Sequence, residues 1–86
     1  MPDSDATTTV TVSLRSILAK FRPNPKDRAP FPVRLRPGAT VADLLQALRV
    51  SDKLAKLVFV DHVRSDPTAP LRDGATVDIF PPVAGG

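Results

Sequence analysis

The sequence predicts an α+β fold in which one amphipathic helix packs across a small sheet, and three observations carry that prediction. Short stretches of alternating polarity stand on both sides of a single segment with helical periodicity. A capping signature opens the helical segment. The resulting order, strand, strand, helix, strand, strand, is that of an α+β sheet and not of repeated βαβ units. Eighty-six residues hold one such domain with a modest core, too little for an enzyme with a large enclosed pocket.

Residues 1–8 are polar and read as a flexible N-terminus, ahead of a domain over 9–80 and an extended tail over 81–86. From Thr9 to Leu14 the chain alternates, with Val10, Val12 and Leu14 on one face and Thr9, Thr11 and Ser13 on the other, a half-buried strand. Ile17, Leu18 and Phe21 follow at helical spacing and predict a turn that anchors the strand end to the core. Pro23, Pro25 and Pro30 among charged residues make a loop of Arg22 to Pro30. Phe31, Val33 and Leu35 then alternate with Pro32, Arg34 and Arg36. The early proline marks that strand as an edge or a strand beginning.

Pro37-Gly38 supplies a turn, after which Thr40-Val41-Ala42-Asp43 matches a capping box. Val41, Leu44, Leu45 and Leu48 fall at i, i+3, i+4 and i+7, one apolar helix face, with Arg49 placed for the last turn. Ser51 to Lys56 forms a short helix or turn, and Leu57 to Val60 a compact apolar strand. Asp66-Pro67 and Asp73-Gly74 mark turns, and Thr76 to Phe80 is the last strand. If Val77 and Ile79 face the core, Thr76, Asp78 and Phe80 face outward. Phe80 then has two placements open to it, an exposed docking anchor or a plug folded under the neck.

The segment after that strand carries the chemistry. Pro81 and Pro82 have no amide donors and fix φ, so they end the strand and hold an extended exit. Gly85 and Gly86 have no β-carbon, so the backbone there fits a slot too narrow for other residues. A bare Gly-Gly is also what a frayed end looks like; the run Pro81 to Gly86 behind a strand favours a built tail. Its distinctive group is the α-carboxylate of Gly86. A carboxylate is a poor electrophile until activated, most simply as a mixed anhydride with AMP. A sulfur nucleophile displacing AMP leaves a thiocarboxylate, and a lysine amine leaves an isopeptide.

Composition narrows the field. Hydrophobic residues make up 42% of the chain, no apolar run is long enough for a bilayer, and no signal-peptide core follows Met1, so a cytoplasmic protein without a membrane partner is expected. Without cysteine there is no disulfide framework, no thiolate metal site and no side-chain thiol to carry sulfur. The net charge is +3, with Arg15, Lys20, Arg22, Lys26, Arg28, Arg34 and Arg36 crowded into the first half. The four phenylalanines are not interleaved with them, so a solvated basic face or a match to an acidic protein partner is expected, and no nucleic acid. His62 beside Asp61 has neither a cysteine nor a placed serine to activate, and the aspartates lack metal-loop spacing. Gly38, Gly74, Gly85 and Gly86 are too scattered for a phosphate-binding loop.

From Val10 to Gly86 the chain resembles the ubiquitin-like β-grasp sulfur carriers (MoaD/ThiS-like), and most of all the small subunit of molybdopterin synthase. The resemblance rests on Pro37-Gly38-Ala39-Thr40-Val41-Ala42-Asp43-Leu44-Leu45, on Leu71-Arg72-Asp73-Gly74, and on Val77-Asp78-Ile79-Phe80-Pro81-Pro82-Val83-Ala84-Gly85-Gly86. It implies a four- to five-stranded mixed sheet with one main helix across one face. It also implies that a ubiquitin-activating-like adenylyltransferase, which consumes ATP, activates Gly86, and that a sulfur donor enzyme completes the thiocarboxylate. The large synthase subunit would then receive the tail, with Phe80, Pro81, Pro82, Val83, Ala84 and Gly85 contacting it. Sulfur would pass to cyclic pyranopterin monophosphate in molybdenum or tungsten cofactor biosynthesis. The chain would be a sulfur-donating subunit with no bound cofactor, no metal and no active site of its own. Carriage of sulfur for thiamine, cysteine or tRNA thiolation, and conjugation to lysines as a ubiquitin-like modifier, are the alternatives. The family often has a bulky apolar residue where Arg15 stands and Asn where Asp61 stands, which bears on partner identity.

Overall fold

The computed structural model describes residues 7–24, 26–51 and 53–82. Five strands, β1 (Thr8–Leu14), β2 (Phe31–Leu35), β3 (Leu57–Val60), β4 (Val63–Ser65) and β5 (Thr76–Phe80), form one sheet in the order β2-β1-β5-β3-β4. The sheet is mixed: β1 runs parallel to β5, and the other three pairings are antiparallel. One α-helix, α1 (Val41–Leu48), supplies Val41, Leu44 and Leu45 to the core. This is the ubiquitin-like β-grasp arrangement.

Alternation in the strands sorts side chains as the sequence predicts. Val10, Val12 and Leu14 of β1, Val58 of β3 and Val77 and Ile79 of β5 are buried in one cluster with the helix residues and Leu18. Each such side chain contributes about 1.5–3 kcal/mol when taken out of water. The capping box forms in full. The Thr40 hydroxyl accepts from the Asp43 amide at 3.3 Å, and the Asp43 carboxylate accepts from the Thr40 amide at 2.9 Å. The helix start is tied to the chain before β5, because the Val41 and Ala42 amides donate to the Ala69 and Pro67 carbonyls. Gly38 and Gly74 take positive φ (82° and 87°) in their turns, a conformation that glycine adopts without the cost of a β-carbon.

Three details depart from the sequence reading. Ile17 is 60% exposed and does not join the core. The Ser16–Phe21 segment is a 3-10 helix, tighter than an α-turn, so only Leu18 is fully buried, with Phe21 packed at the core's margin. Arg49 caps α1 instead of lying in its last turn. It enters the left-handed region at φ 61°, which lets the Arg49 amide reach Gln46 and the Val50 amide reach Leu45. Between Ser51 and Leu57 the described residues take the turn, one of the two forms expected there. The additional strand β4 pairs with β3 through a two-residue turn at Asp61-His62, both with positive φ as such hairpins require.

Asp61 holds that turn to β5: its carboxylate accepts from the Thr76 amide at 2.9 Å and from Arg72 at 3.3 Å. These bonds, the backbone one foremost, hold the Asp61 carboxyl below its ordinary value of 3.8. The Thr40 amide lowers Asp43 in the same way, and the Thr68 hydroxyl and amide lower Asp66. A depressed folded-state pKa gives stability that is present above the ordinary carboxylate range and lost as pH falls through the folded value. The melting temperature is therefore expected to hold from neutral pH to about pH 5 and then fall. Asp61→Asn keeps an acceptor for Thr76 without the titration, so its acid limb is shallower. Acid limbs of equal steepness in thermal scans would refute the assignment to Asp61.

Candidate functional site

Because α1 covers one face of the sheet, the residues of opposite parity form an open face. On it lie Thr11 and Ser13 of β1, Thr76, Asp78 and Phe80 of β5, and Leu57 and Phe59 of β3, brought level by the pairings Ser13–Asp78, Phe59–Asp78 and Leu57–Phe80. Phe80 lies on this face, as parity predicts, and is half-buried. It is therefore no core plug, but it is not free either. Its ring meets Phe59 edge to face, with centroids 5.8 Å apart and planes at 86°. The Arg15 guanidinium lies 5.9 Å from the centre of the Phe80 ring. Edge-to-face pairs and cation–π contacts each favour such placements by about 0.5–1.5 kcal/mol.

Arg15 is the hinge of this site. Its amide donates to the Ile79 carbonyl at 3.1 Å, extending the parallel β1–β5 ladder by one bond. Its guanidinium is 3.2 Å from Asp78. The next residue, Ser16, takes φ 54° and turns the chain off the sheet. The Arg22 guanidinium returns to donate to the Leu14 carbonyl at 2.7 Å. The end of β1 is thus fixed beside the point where the chain leaves β5. There Pro81 is half-buried and Pro82 exposed, so the neck begins at the rim of the aromatic pair. Of the tail residues predicted to act, Val83, Ala84, Gly85 and Gly86 lie outside the described residues.

Sequence reasoning found Phe80 and missed its neighbours. The same parity argument applied to Leu57–Val60 would have found Phe59, since Val58 and Val60 pack against the core and leave Leu57 and Phe59 on the open face. No local signal links Arg15 to Asp78, 63 positions away.

A groove of about 240 Å³ between α1 and the β3–β4 hairpin is lined by Val41, Leu45, Val58 and Pro67, with Lys56 and Ser65 as its polar side chains. It holds no paired nucleophile and base. Among the described residues no three His, Cys, Asp or Glu side chains gather as metal ligands, and no helix is long and apolar enough to cross a membrane. The arrangement is a sheet platform with an aromatic pair on its open face and a chain leaving from its edge.

Comparison with known proteins agrees with that platform. The model of the ThiS family matches residues 24–86. Among solved structures, a Pyrococcus furiosus protein assigned as molybdopterin converting factor, subunit 1, superposes with a TM-score of 0.68 at 20% identity, over 88% of this chain and 99% of that one. The Haloferax volcanii HVO 2177 protein gives 0.72 at 23%, over 94% and 89%. SAMP1 from Haloferax volcanii gives 0.69 at 22%, over 91% and 99%. No curated protein matches the chain.

Proposed function

The chain belongs to the ThiS family, and from that premise we propose that it is a sulfur carrier whose reacting atom is the α-carboxylate of Gly86. The observation that carries the reading is the span of the family match, which runs through β5, the proline neck and Gly86. A ubiquitin-activating-like enzyme joins the Gly86 carboxylate oxygen to the α-phosphorus of ATP and releases pyrophosphate. Hydrosulfide released by a donor enzyme then attacks the acyl carbon, forming the C–S bond as the bond to AMP breaks, and loses its proton to leave the thiocarboxylate and free AMP. The protein's own part is mechanical: the open face docks, Pro81 and Pro82 stiffen the exit, and Ala84 and Gly85 thread the partner's channel with Gly86 leading.

The pathway we propose is molybdopterin synthesis, with this chain as the small subunit that delivers sulfur to cyclic pyranopterin monophosphate in the large one. The Phe80-Pro81-Pro82-Val83-Ala84-Gly85-Gly86 ending and the fold of the converting-factor subunit support it. A second reading, conjugation of Gly86 to lysines, draws on the equal likeness to SAMP1 and on the same activated terminus. Intact mass of protein isolated from its native host separates the two. The carrier reading expects a species heavier by about 16 Da, sulfur in place of oxygen, and the modifier reading expects branched higher-mass species. Finding neither, in cells making the metal cofactor, would defeat the proposal.

A further inference from the structure

The second feature of the tail's base is electrostatic. A concavity of about 420 Å³ opens beside it, lined by Arg15, Ser16, Ala19, Arg22 and Arg28. Its walls are the end of β1, the 3-10 segment and the loop before β2. Burial of Leu18 seats the 3-10 segment, and the Arg22 bond to the Leu14 carbonyl closes the wall against the strand. Three guanidinium-bearing residues thus share one hollow whose lining contains no acid. Asp78 answers Arg15 from the sheet side, and Arg28 forms no ion pair among the described residues. Like charges held around one hollow repel, and an anion seated between them relieves the repulsion.

We infer that this concavity is the docking subsite for an acidic segment of the protein partner that receives the tail, with Asp or Glu carboxylates bound by Arg15, Arg22 and Arg28. The inference rests on the carrier reading for the partner's role. Continuity is the first argument. Arg15 lines the hollow and also lies over the Phe80 ring, so a partner covering the aromatic ridge reaches the hollow in the same embrace. Distance is the second. A tail extended into a channel puts Gly86 about 20 Å from Phe80, so the anion bound at the tail's base is not the acyl-adenylate. The choice of carboxylate over nucleic acid comes from the rings. Phe59 and Phe80 are engaged edge to face with each other, and Phe80 also with Arg15, which leaves neither ring of the pair as a stacking platform for bases beside the arginines.

The test is a nitrogen-15 NMR titration of the full chain with a hexaglutamate peptide at low salt, with inorganic pyrophosphate and a hexathymidylate in parallel. Hexaglutamate is expected to shift the amides of Ser16, Ala19 and Arg28 and the guanidinium signals of Arg15 and Arg22, and to release above about 0.5 M salt. Arg28→Glu weakens binding by about tenfold, the loss of one charge-assisted contact. Lys53→Glu makes the same change in net charge outside the hollow and leaves affinity within about twofold. Arg28→Gln, with melting temperature checked, serves if the reversal disturbs the loop. Equal weakening by Arg28→Glu and Lys53→Glu, shifts scattered away from the hollow, no binding, or tighter binding of pyrophosphate or hexathymidylate at these residues would each overturn the inference. None of these readouts involves sulfur, so their failure leaves the role of Gly86 standing, and a failed Gly86 leaves them readable.

Discussion

Extending the chain by one residue beyond Gly86, or deleting Gly86, is expected to abolish AMP-dependent activation and to leave the melting temperature where it was. The two halves of that expectation come from different parts of the molecule. Chemistry needs a free α-carboxylate at the end of a backbone thin enough to reach an adenylating site, and an added residue moves the carboxylate past it. Stability comes from a cluster whose last member in the chain is Ile79. After it, Phe80 and Pro81 are half-buried and Pro82 is exposed, so the buried cluster is complete before the tail begins. The measurement pairs pyrophosphate release in the presence of the activating enzyme with thermal unfolding. Continued sulfur transfer by an extended chain, with its mass proving that the extra residue is still attached, sinks the proposal.

Phe80→Ala is expected to weaken binding of the partner about thirtyfold while costing the fold less than a core phenylalanine would. A central aromatic anchor contributes about 2 kcal/mol or more to an interface, which sets the affinity loss. In the free protein the ring is half-buried on the open face. Its losses there are the edge-to-face contact with Phe59 and the Arg15 contact, each about 0.5–1.5 kcal/mol. Removing a fully buried phenylalanine costs about 3–5 kcal/mol. Calorimetric titration against the large subunit of molybdopterin synthase and thermal unfolding of the same sample separate the terms. Full affinity with the ring removed would take Phe80 out of the interface.

The helix and four strands were legible because their signals are local. Thr40 and Asp43 announce the start of α1 within four residues, and β1, β2 and β5 alternate cleanly enough to sort core from open face. The parity of β5 offered Phe80 the open face but left a plug under the neck as the alternative, which only the Phe59 and Arg15 contacts decide. What escaped depends on partners distant in sequence or on backbone angles that composition does not reveal. Val63–Ser65 is too short to show a period, and Asp61-His62 lacks the glycine that usually marks such a turn. Arg49 and Ser16 adopt positive φ without being the residue types that advertise it. Ile17 obeys a helical pattern, but a 3-10 turn advances each residue further around the axis and swings it into solvent. The arginine hollow escaped although Arg15, Arg22 and Arg28 are close in sequence, because the 3-10 segment and the loop before β2 decide which of the many basic residues share one hollow.

The place of β5 in the sheet bears on when the protein becomes usable. β5 is the last strand made and the one that joins the two hairpin-like halves, β2-β1 on one side and β3-β4 on the other. Before it is synthesised, each half is a two-stranded piece, marginal in water by itself. Closing the sheet therefore waits on the most distant pairing in the chain, a slow kind of contact to form. A chain that stops short of β5 lacks the strand that joins the two halves and the buried Val77 and Ile79 with it. Under the proposed function, folding would then act as a proofreading step, since an activating enzyme that recognises the β5 platform would engage finished copies and pass over truncated ones.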